Sequence, residues 1–241
     1  GSGKTRVLTY KVWHLIKEKL FKPQNILALT FTNKAASEMK SRIQQSISSN
    51  GVNVGTFHSV GARMMRNHIS LLDENFNSNF TIYDTVDQKS VIKEVLEELN
   101  LSEFKELSVG FLKVQIDQFK NSDMTVELVE KKAQTFEDEK IAEVYKGYND
   151  KLKSNNALDF NDLIIFPIRL LKQNKKILKY YQDLWQYILV DEFQDTNSPQ
   201  FEIVSLLAQK HKNITVVGDD DQSIYGWRGA NIDNILTNFQ D

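Results

Sequence analysis

Residues 25–32 read Asn25-Ile-Leu-Ala-Leu-Thr-Phe-Thr32, a short apolar run that ends in polar residues. Such a run predicts a parallel strand that is buried on both faces. Tyr187-Ile-Leu-Val190 and Ile214-Thr-Val-Val217 have the same character, and Val52-Asn-Val-Gly-Thr56 is a weaker fourth candidate. The sequence therefore predicts a sheet of parallel strands.

Helical patterns separate these strands. The stretch from Arg6 to Lys19 places five apolar residues on one helical face, and a second helix is predicted from Lys34 to Ile47. The five residues are Val7, Leu8, Val12, Leu15 and Ile16. Alternating strands and helices predict an α/β fold, a doubly wound sheet with helices on both faces and ligands at the carboxyl ends of the strands.

The middle of the chain differs from its two ends. Residues 61–180 carry almost no strand signal, and their apolar residues recur at helical spacing. Examples are Val91, Val95, Leu96 and Leu99, and then Ile141, Val144, Tyr145, Tyr148 and Leu152. We predict an all-helical insertion over 61–180, within an α/β domain formed by 1–60 and 181–241.

Composition limits the class of protein. The 241 residues are 41% hydrophobic and 26% charged, enough for one large core or two smaller ones. The absence of cysteine excludes disulfides and thiolate metal sites and fits a cytoplasmic location. No apolar run approaches the roughly 18 residues of a membrane span, so no membrane role is expected. The net charge of −2 implies that nucleic-acid binding would rest on local geometry and stacking.

The first five residues, Gly1-Ser-Gly-Lys-Thr5, run directly into a predicted helix. Backbone N–H groups of such a glycine loop, together with the helix dipole, bind phosphate. In that role Lys4 would reach the β- and γ-phosphates and the Thr5 hydroxyl would hold Mg²⁺. Only the second half of the pattern Gly-x-x-x-x-Gly-Lys-[Ser/Thr] is present, and the strand that should precede it is missing. An ordinary turn is the alternative interpretation.

Two carboxylates follow the predicted strand 187–190. Asp191 is placed to hold Mg²⁺ through water, and Glu192 to deprotonate an attacking water. A solvated acidic turn is the alternative for these two residues taken alone. Combined with Lys4 and Thr5, they predict an ATP or GTP hydrolase.

Longer stretches resemble the motifs of one helicase family. Asp191-Glu-Phe-Gln-Asp-Thr-Asn197 resembles motif II of the superfamily 1 DNA helicases of the UvrD/Rep/PcrA type, and 217–230 (Val217-Gly-Asp-Asp-Asp-Gln-Ser-Ile-Tyr-Gly-Trp-Arg-Gly-Ala230) resembles motif III. Further matches in the same order are Gly1 to Thr9 (motif I), Ala28 to Ala36 (motif Ia), Gly55-Thr-Phe-His-Ser59 (motif Ib), and Leu158-Asp-Phe-Asn-Asp-Leu-Ile164, which resembles a segment before motif II.

The resemblance implies a fold and a cofactor. It implies a RecA-like P-loop NTPase domain 1A (1–60 and 181–241) with the helical subdomain 1B (61–180), and ATP with Mg²⁺. It assigns nucleotide binding to Gly1, Ser2, Gly3, Lys4, Thr5 and Arg6, metal binding to Thr5 and Asp191, and catalysis to Glu192, Asp191, Lys4 and Gln222. In this assignment Glu192 is the base, and Gln222 senses the γ-phosphate.

The resemblance also implies a track for single-stranded DNA and for duplex/single-strand junctions. The matching residues are Phe31, Thr32, Asn33, His58, Tyr225, Trp227 and Arg228, the last of which supports either the DNA side or the interdomain cleft. Phe31 as a core aromatic and His58 as a packed histidine are the alternatives. The implied activity is 3′-to-5′ translocation, with domains 2A and 2B absent and the fragment inactive alone.

Three other interpretations remain open at this point. A small-molecule kinase would explain the phosphate and acidic motifs but not the aromatic motif III. A non-enzymatic DNA-binding scaffold would not need Lys4, Thr5, Asp191 and Glu192. An AddA- or RecB-like helicase–nuclease would carry nuclease carboxylates in sequence beyond 241.

Overall fold

The computed structural model describes residues 3–46 and 51–218, apart from the side chain of Lys4. The described residues form two compact units. The first consists of the described residues within Gly1–Val60 and Ile168–Asp241, and the second is Gly61–Pro167. No helix in the described part of the chain is long and apolar enough to cross a membrane.

The first unit contains a four-stranded parallel sheet. Its strands are β1 (Ile26–Thr30), β2 (Asn53–Thr56), β5 (Tyr187–Val190) and β6 (Ile214–Val216). Their order across the sheet is β2-β1-β5-β6. Every residue of β1 and β5 is buried, as continuous apolar strands in the centre of a parallel sheet should be. All four predicted strands are present, and the α/β prediction is confirmed.

Helices cover both faces of this sheet. They are α1 (Lys4–Lys17), α2 (Asn33–Ser46), α9 (Lys175–Leu184) and α10 (Ser198–Ala208), and the unit also takes the first residues of α3 (Phe57–His68) and the last of α8 (Asp162–Gln173). Leu8, Val12 and Leu15 of α1 join Met39 and Ile43 of α2 in a core against Ile26, Ala28, Tyr187 and Leu189. The alternate strand residues Leu27, Leu29 and Ile188 are buried on the opposite face. Val7 lies outside the predicted apolar face, since 57% of it is exposed.

The second unit is mainly helical. Its helices are α4 (Thr85–Glu98), α5 (Val109–Asn121), α6 (Val126–Lys132) and α7 (Phe136–Ser154), with parts of α3 and α8. The predicted apolar residues of α4 and α7 form its core, except Leu99, which is exposed. Both helices begin with a capping box, formed by Asp84 and Asp87 at α4 and by Thr135 and Asp138 at α7. These side chains accept hydrogen bonds from backbone N–H groups at the start of each helix.

Two short strands in this unit correct the all-helical prediction. β3 (Thr81–Tyr83) and β4 (Ala157–Asp159) pair in parallel. Three residues are too few to show an alternating pattern, so the sequence did not indicate them. The unit also ends at Pro167, whereas the stretch without strand signal runs to 180. Residues 168–180 are helical but belong to the first unit, because the absence of strands does not mark a domain boundary.

A buried charged cluster lies at the start of α8. Lys120 Nζ is 2.7 Å from both Asp159 Oδ2 and Asp162 Oδ1, and the Tyr148 hydroxyl donates to Asp159 Oδ2 at 2.9 Å. Burial opposes the charge of Lys120, but the two carboxylates outweigh it and raise the Lys120 pKa. Burial and the adjacent Asp159 raise the pKa of Asp162 to about 6. One cation therefore neutralises two carboxylates only in part.

Candidate active site

The carboxyl ends of the parallel strands bring the candidate residues of the first unit to one edge. Thr30 pairs with Thr56, and Leu29 pairs with Val190, so the segments after β1, β2 and β5 are neighbours. The Asp191 N–H donates to the Leu29 carbonyl at 2.9 Å, which continues the ladder beyond β5. This edge is where ligands bind in open α/β sheets.

Thr5 and Asp191 meet at this edge although 186 positions separate them in sequence. The Thr5 hydroxyl donates to Asp191 Oδ2 at 2.9 Å, and the N–H of Glu192 donates to Asp191 Oδ1 at 3.0 Å. The Asp191 carboxylate is only 2% exposed, and both of its oxygens are held. Thr5 stands in the first turn of α1, so this pairing places the carboxylate beside a helix N-terminus.

The donor set of Thr5 and Asp191 fits Mg²⁺. This ion takes oxygen ligands, keeps several waters, and is held by one or two carboxylates together with substrate phosphates. A hydroxyl and a buried carboxylate within hydrogen-bond distance provide such ligands. Within residues 3–46 and 51–218 there is no cluster of three or more His, Cys, Asp or Glu side chains that could hold a metal by themselves.

Glu192 has an unusual backbone conformation. Its φ of 51° and ψ of 46° lie in the left-handed region, which few residues other than glycine adopt. Such strained positions are concentrated at functional sites. Its carboxylate accepts from Gln194 Nε2 at 2.7 Å, and Gln194 itself is 2% exposed. Sequence reasoning did not select Gln194; the available signal was an amide within the acidic motif.

The phosphate loop is described only in part. Gly1 and Ser2 lie outside the described residues, as does the Lys4 side chain, so the predicted phosphate contacts of these three residues remain predictions. Gly3 is exposed, and a Cβ there would meet no atom within 4 Å. Arg6 is exposed and donates to the Tyr10 hydroxyl at 3.3 Å.

A cavity of about 500 Å³ lies between α1 and α2. Its lining includes the predicted nucleotide-binding residue Arg6 together with Thr9, Tyr10, Trp13, Arg42, Gln45 and Ser46. The aromatic rings and guanidinium groups of this lining suit a planar, negatively charged ligand.

The segment after β1 presents Phe31, Thr32 and Asn33. Thr32 and Asn33 are exposed, and the Thr32 hydroxyl accepts from the Ala35 N–H at 3.1 Å, which caps α2. Phe31 is half-buried, with its ring 5.6 Å from that of the buried Phe57. Phe31 is therefore anchored by one aromatic contact while part of its surface faces solvent.

The segment after β2 has its own local structure. Thr56 and Ser59 exchange hydrogen bonds across the first turn of α3, from Thr56 N–H to Ser59 Oγ at 2.9 Å and from Ser59 N–H to Thr56 Oγ1 at 3.1 Å. A Cβ at Gly55 would lie 2.6 Å from Ser59 Oγ, so glycine at this position leaves room for the two hydrogen bonds. His58 is half-buried, and burial lowers its pKa, which favours a neutral imidazole at pH 7.

Four predicted site residues lie outside the described residues. They are Gln222, Tyr225, Trp227 and Arg228, and their roles remain predictions. The described chain ends at Gly218, just after β6. The Phe193 N–H donates to the Val217 carbonyl at 2.9 Å, so the segment that leads to these four residues starts beside Glu192.

At the carboxyl edge of this parallel α/β sheet, the threonine that follows a glycine loop lies beside an aspartate at the end of a strand. This arrangement defines the class of P-loop nucleotide-binding proteins. Within that class, the chain belongs to the UvrD/REP helicase family: the family described as the UvrD/REP helicase N-terminal domain matches residues 1–241.

Individual relatives are also named as DNA helicases. The chain is 48% identical over 239 residues to the ATP-dependent DNA helicase PcrA of Staphylococcus epidermidis and 47% identical over 239 residues to that of Staphylococcus aureus. Each comparison covers 98% of this chain and 32% of the relative. The chain thus spans about a third of the length of the curated relatives it matches.

Proposed function

We propose that the protein containing this chain is an ATP-dependent DNA helicase that moves 3′ to 5′ along single-stranded DNA. The observation that carries the proposal is the hydrogen bond between Thr5 and Asp191, because it joins the two halves of a phosphate and metal site at the ligand-binding edge of the sheet. Family membership supplies the DNA half of the proposal.

In the proposed nucleotide site, Gly1, Ser2 and Gly3 turn backbone N–H groups toward the phosphates, Lys4 neutralises them, and Arg6 borders the cavity that receives the rest of the nucleotide. Thr5 and Asp191 hold Mg²⁺, which when bound offsets negative charge on the phosphates. Glu192 accepts the proton of the attacking water, and Gln222 senses the γ-phosphate. The Thr5 hydroxyl and the Glu192 N–H both donate to the Asp191 carboxylate and so fix its orientation for this role.

In the proposed DNA site, Phe31 stacks on a base while Phe57 supports its other side. Thr32, Asn33 and His58 line the same edge, and Tyr225, Trp227 and Arg228 complete the track. Stacking contributes about 1–3 kcal/mol per base and tolerates every sequence, as a motor requires. A half-buried neutral His58 suits packing or hydrogen bonding to DNA better than an ionic contact with phosphate.

The two compact units correspond, in this proposal, to subdomains 1A and 1B. The relatives are about three times as long as the chain, which leaves room for the second RecA-like domain 2A and the inserted domain 2B that would close the ATP cleft. The family match and the PcrA relatives favour this function over the AddA- or RecB-like helicase–nuclease.

Strand displacement tests the proposal. The full-length protein is mixed with ATP and a labelled partial duplex that carries either a 3′ or a 5′ single-stranded tail. We expect displacement from the 3′-tailed substrate, none without ATP, and none by the Glu192→Gln variant. Preference for the 5′ tail would reverse the proposed direction, and no displacement from either substrate would contradict the helicase function.

A further inference from the structure

The amide of Gln194 lies between the acidic strand end and β6. Its Nε2 donates to Glu192 Oε2 at 2.7 Å and lies 3.5 Å from Asp195 Oδ2. Gln194 is 2% exposed, so its amide is nearly shielded from water. A hydrogen bond from a buried amide to a carboxylate is charge-assisted and stronger than one between neutral groups.

Gly218 makes room for this amide. A Cβ at Gly218 would stand 2.9 Å from Gln194 Oε1 and 3.2 Å from the Gln194 backbone nitrogen, both closer than ordinary packing allows. The Gln194 amide therefore packs directly against the glycine that follows β6, and a Cβ there would push the amide from its place. The neighbouring bond from the Phe193 N–H to the Val217 carbonyl fixes the two segments against each other.

We propose that Gln194 is a positioning residue for Glu192. With Oε2 held by Gln194 at 2.7 Å, the orientation of the Glu192 carboxylate is fixed. A general base needs its proton donor within hydrogen-bond distance, and a misplacement of about 1 Å can lower the rate about a hundredfold. This inference rests on the proposed function of Glu192 and deepens it, because it adds the residue that orients the base.

The test compares variants of the full-length protein in steady-state ATP hydrolysis with saturating single-stranded DNA. Gln194→Met keeps the side-chain volume and removes the donor. We expect kcat to fall about 10- to 100-fold, the usual effect of losing a hydrogen bond to a charged group. KM for ATP, ATP affinity and DNA affinity should stay within about twofold, since Gln194 acts only on the base.

Three further variants separate positioning from packing. Gln194→His keeps an N–H donor at similar reach, so it should be more active than Gln194→Met although methionine matches the volume better. Gly218→Ala displaces the amide without altering it and should also lower kcat. Gln182→Met is the control: this glutamine is also buried but donates to the Leu206 carbonyl, so kcat should not change.

The outcomes are distinct. If Gln194→Met has a normal kcat, or if only its KM rises, Gln194 does not position Glu192. The proposed function still stands in that case, provided that Glu192→Gln does not hydrolyse ATP. Near-normal hydrolysis by Glu192→Gln would instead remove the base itself, and the role of Gln194 with it. If Gln194→Met fails to fold, the Gly218→Ala variant decides: a normal kcat in that variant overturns the proposal.

Discussion

Two adjacent carboxylates at the end of β5 have different partners. Asp191 accepts from Thr5, a residue of the glycine loop, whereas Glu192 accepts from Gln194 within its own turn. The left-handed backbone at Glu192 separates the two side chains in this way. Their environments thus fit two separate roles, one with the metal and one with water.

Glu192→Gln should abolish ATP hydrolysis and spare ATP binding. Glutamine keeps the size and can still accept from Gln194, but it cannot take a proton, so the rate should fall about 10²- to 10⁴-fold. Steady-state hydrolysis and equilibrium binding of a fluorescent ATP analogue, both on the full-length protein, measure the two effects. Turnover near that of the unmodified protein would exclude Glu192 as the base.

Phe31→Ala should weaken single-stranded DNA binding by about 1–3 kcal/mol, because one stacking surface is lost. Fluorescence anisotropy with a labelled oligonucleotide measures this change. Tyr180→Ala is a suitable control: it removes an exposed ring of the first unit that lies on α9 rather than after β1. Equal DNA affinities for Phe31→Ala and the unmodified protein would show that Phe31 has a packing role and does not stack on DNA.

At this scale the sequence predicted the pairing of Thr5 with Asp191, because both residue types follow from the chemistry of a metal-bound phosphate. It did not predict Gln194, whose role depends on which atoms the turn at 193–195 brings together. It also could not assign Gly55, Thr56 and Ser59 to a local cap rather than to ligand contacts.

At the scale of elements, the long apolar strands were predictable and the short ones were not. β1 and β5 are continuous buried runs, a pattern that only a covered parallel sheet explains. β3 and β4 have three residues each, and their pairing depends on contacts between positions about 75 apart, such as Ile82 with Leu158. Local patterns carry no information on such pairs.

Lys120→Met should destabilise the second unit by about 3–5 kcal/mol, since it leaves two buried carboxylates without their cation. Lys113→Met is the matched control on the same helix, where the pair with Asp117 is partly exposed and should contribute less than about 1 kcal/mol. Chemical denaturation of both variants measures the difference. If both variants lose the same free energy of unfolding, burial does not determine how much the Lys120 ion pairs contribute to stability.

The loss in Lys120→Met should shrink as the pH falls. Burial and the facing Asp159 already raise the pKa of Asp162 to about 6 with Lys120 present, above the unfolded value of about 4. A raised pKa means that the stability gained by protonation is fully present below about pH 4 and is lost as pH rises through the folded pKa. Denaturation at pH 5 and pH 8 should therefore give the smaller deficit at pH 5.

Gly61→Ala should be strongly destabilising. A Cβ at Gly61 would overlap the backbone carbonyl of Leu163 in α8, and backbone atoms cannot move aside as a flexible side chain can. Gly110→Ala is the control, because a Cβ there meets nothing within 4 Å and helix propensity alone should add about 0.5–1 kcal/mol of stability. Thermal midpoints that move equally would contradict the close approach of α3 and α8.

At the scale of the whole molecule, a net charge of −2 is compatible with a DNA motor only if contacts are local. Stacking on a few aromatic residues meets that condition, and it predicts weaker salt dependence than binding through many phosphate contacts. The chain also spans about a third of the length of its relatives, so the proposed activity has to be measured on the full-length protein.

ATP hydrolysis by the full-length protein, measured with and without single-stranded DNA at low and at moderate salt, decides whether the protein is a DNA motor. We predict strong stimulation by the single strand at both salt concentrations and none in Glu192→Gln. Robust hydrolysis that is indifferent to DNA would leave the phosphate site intact but contradict the DNA motor.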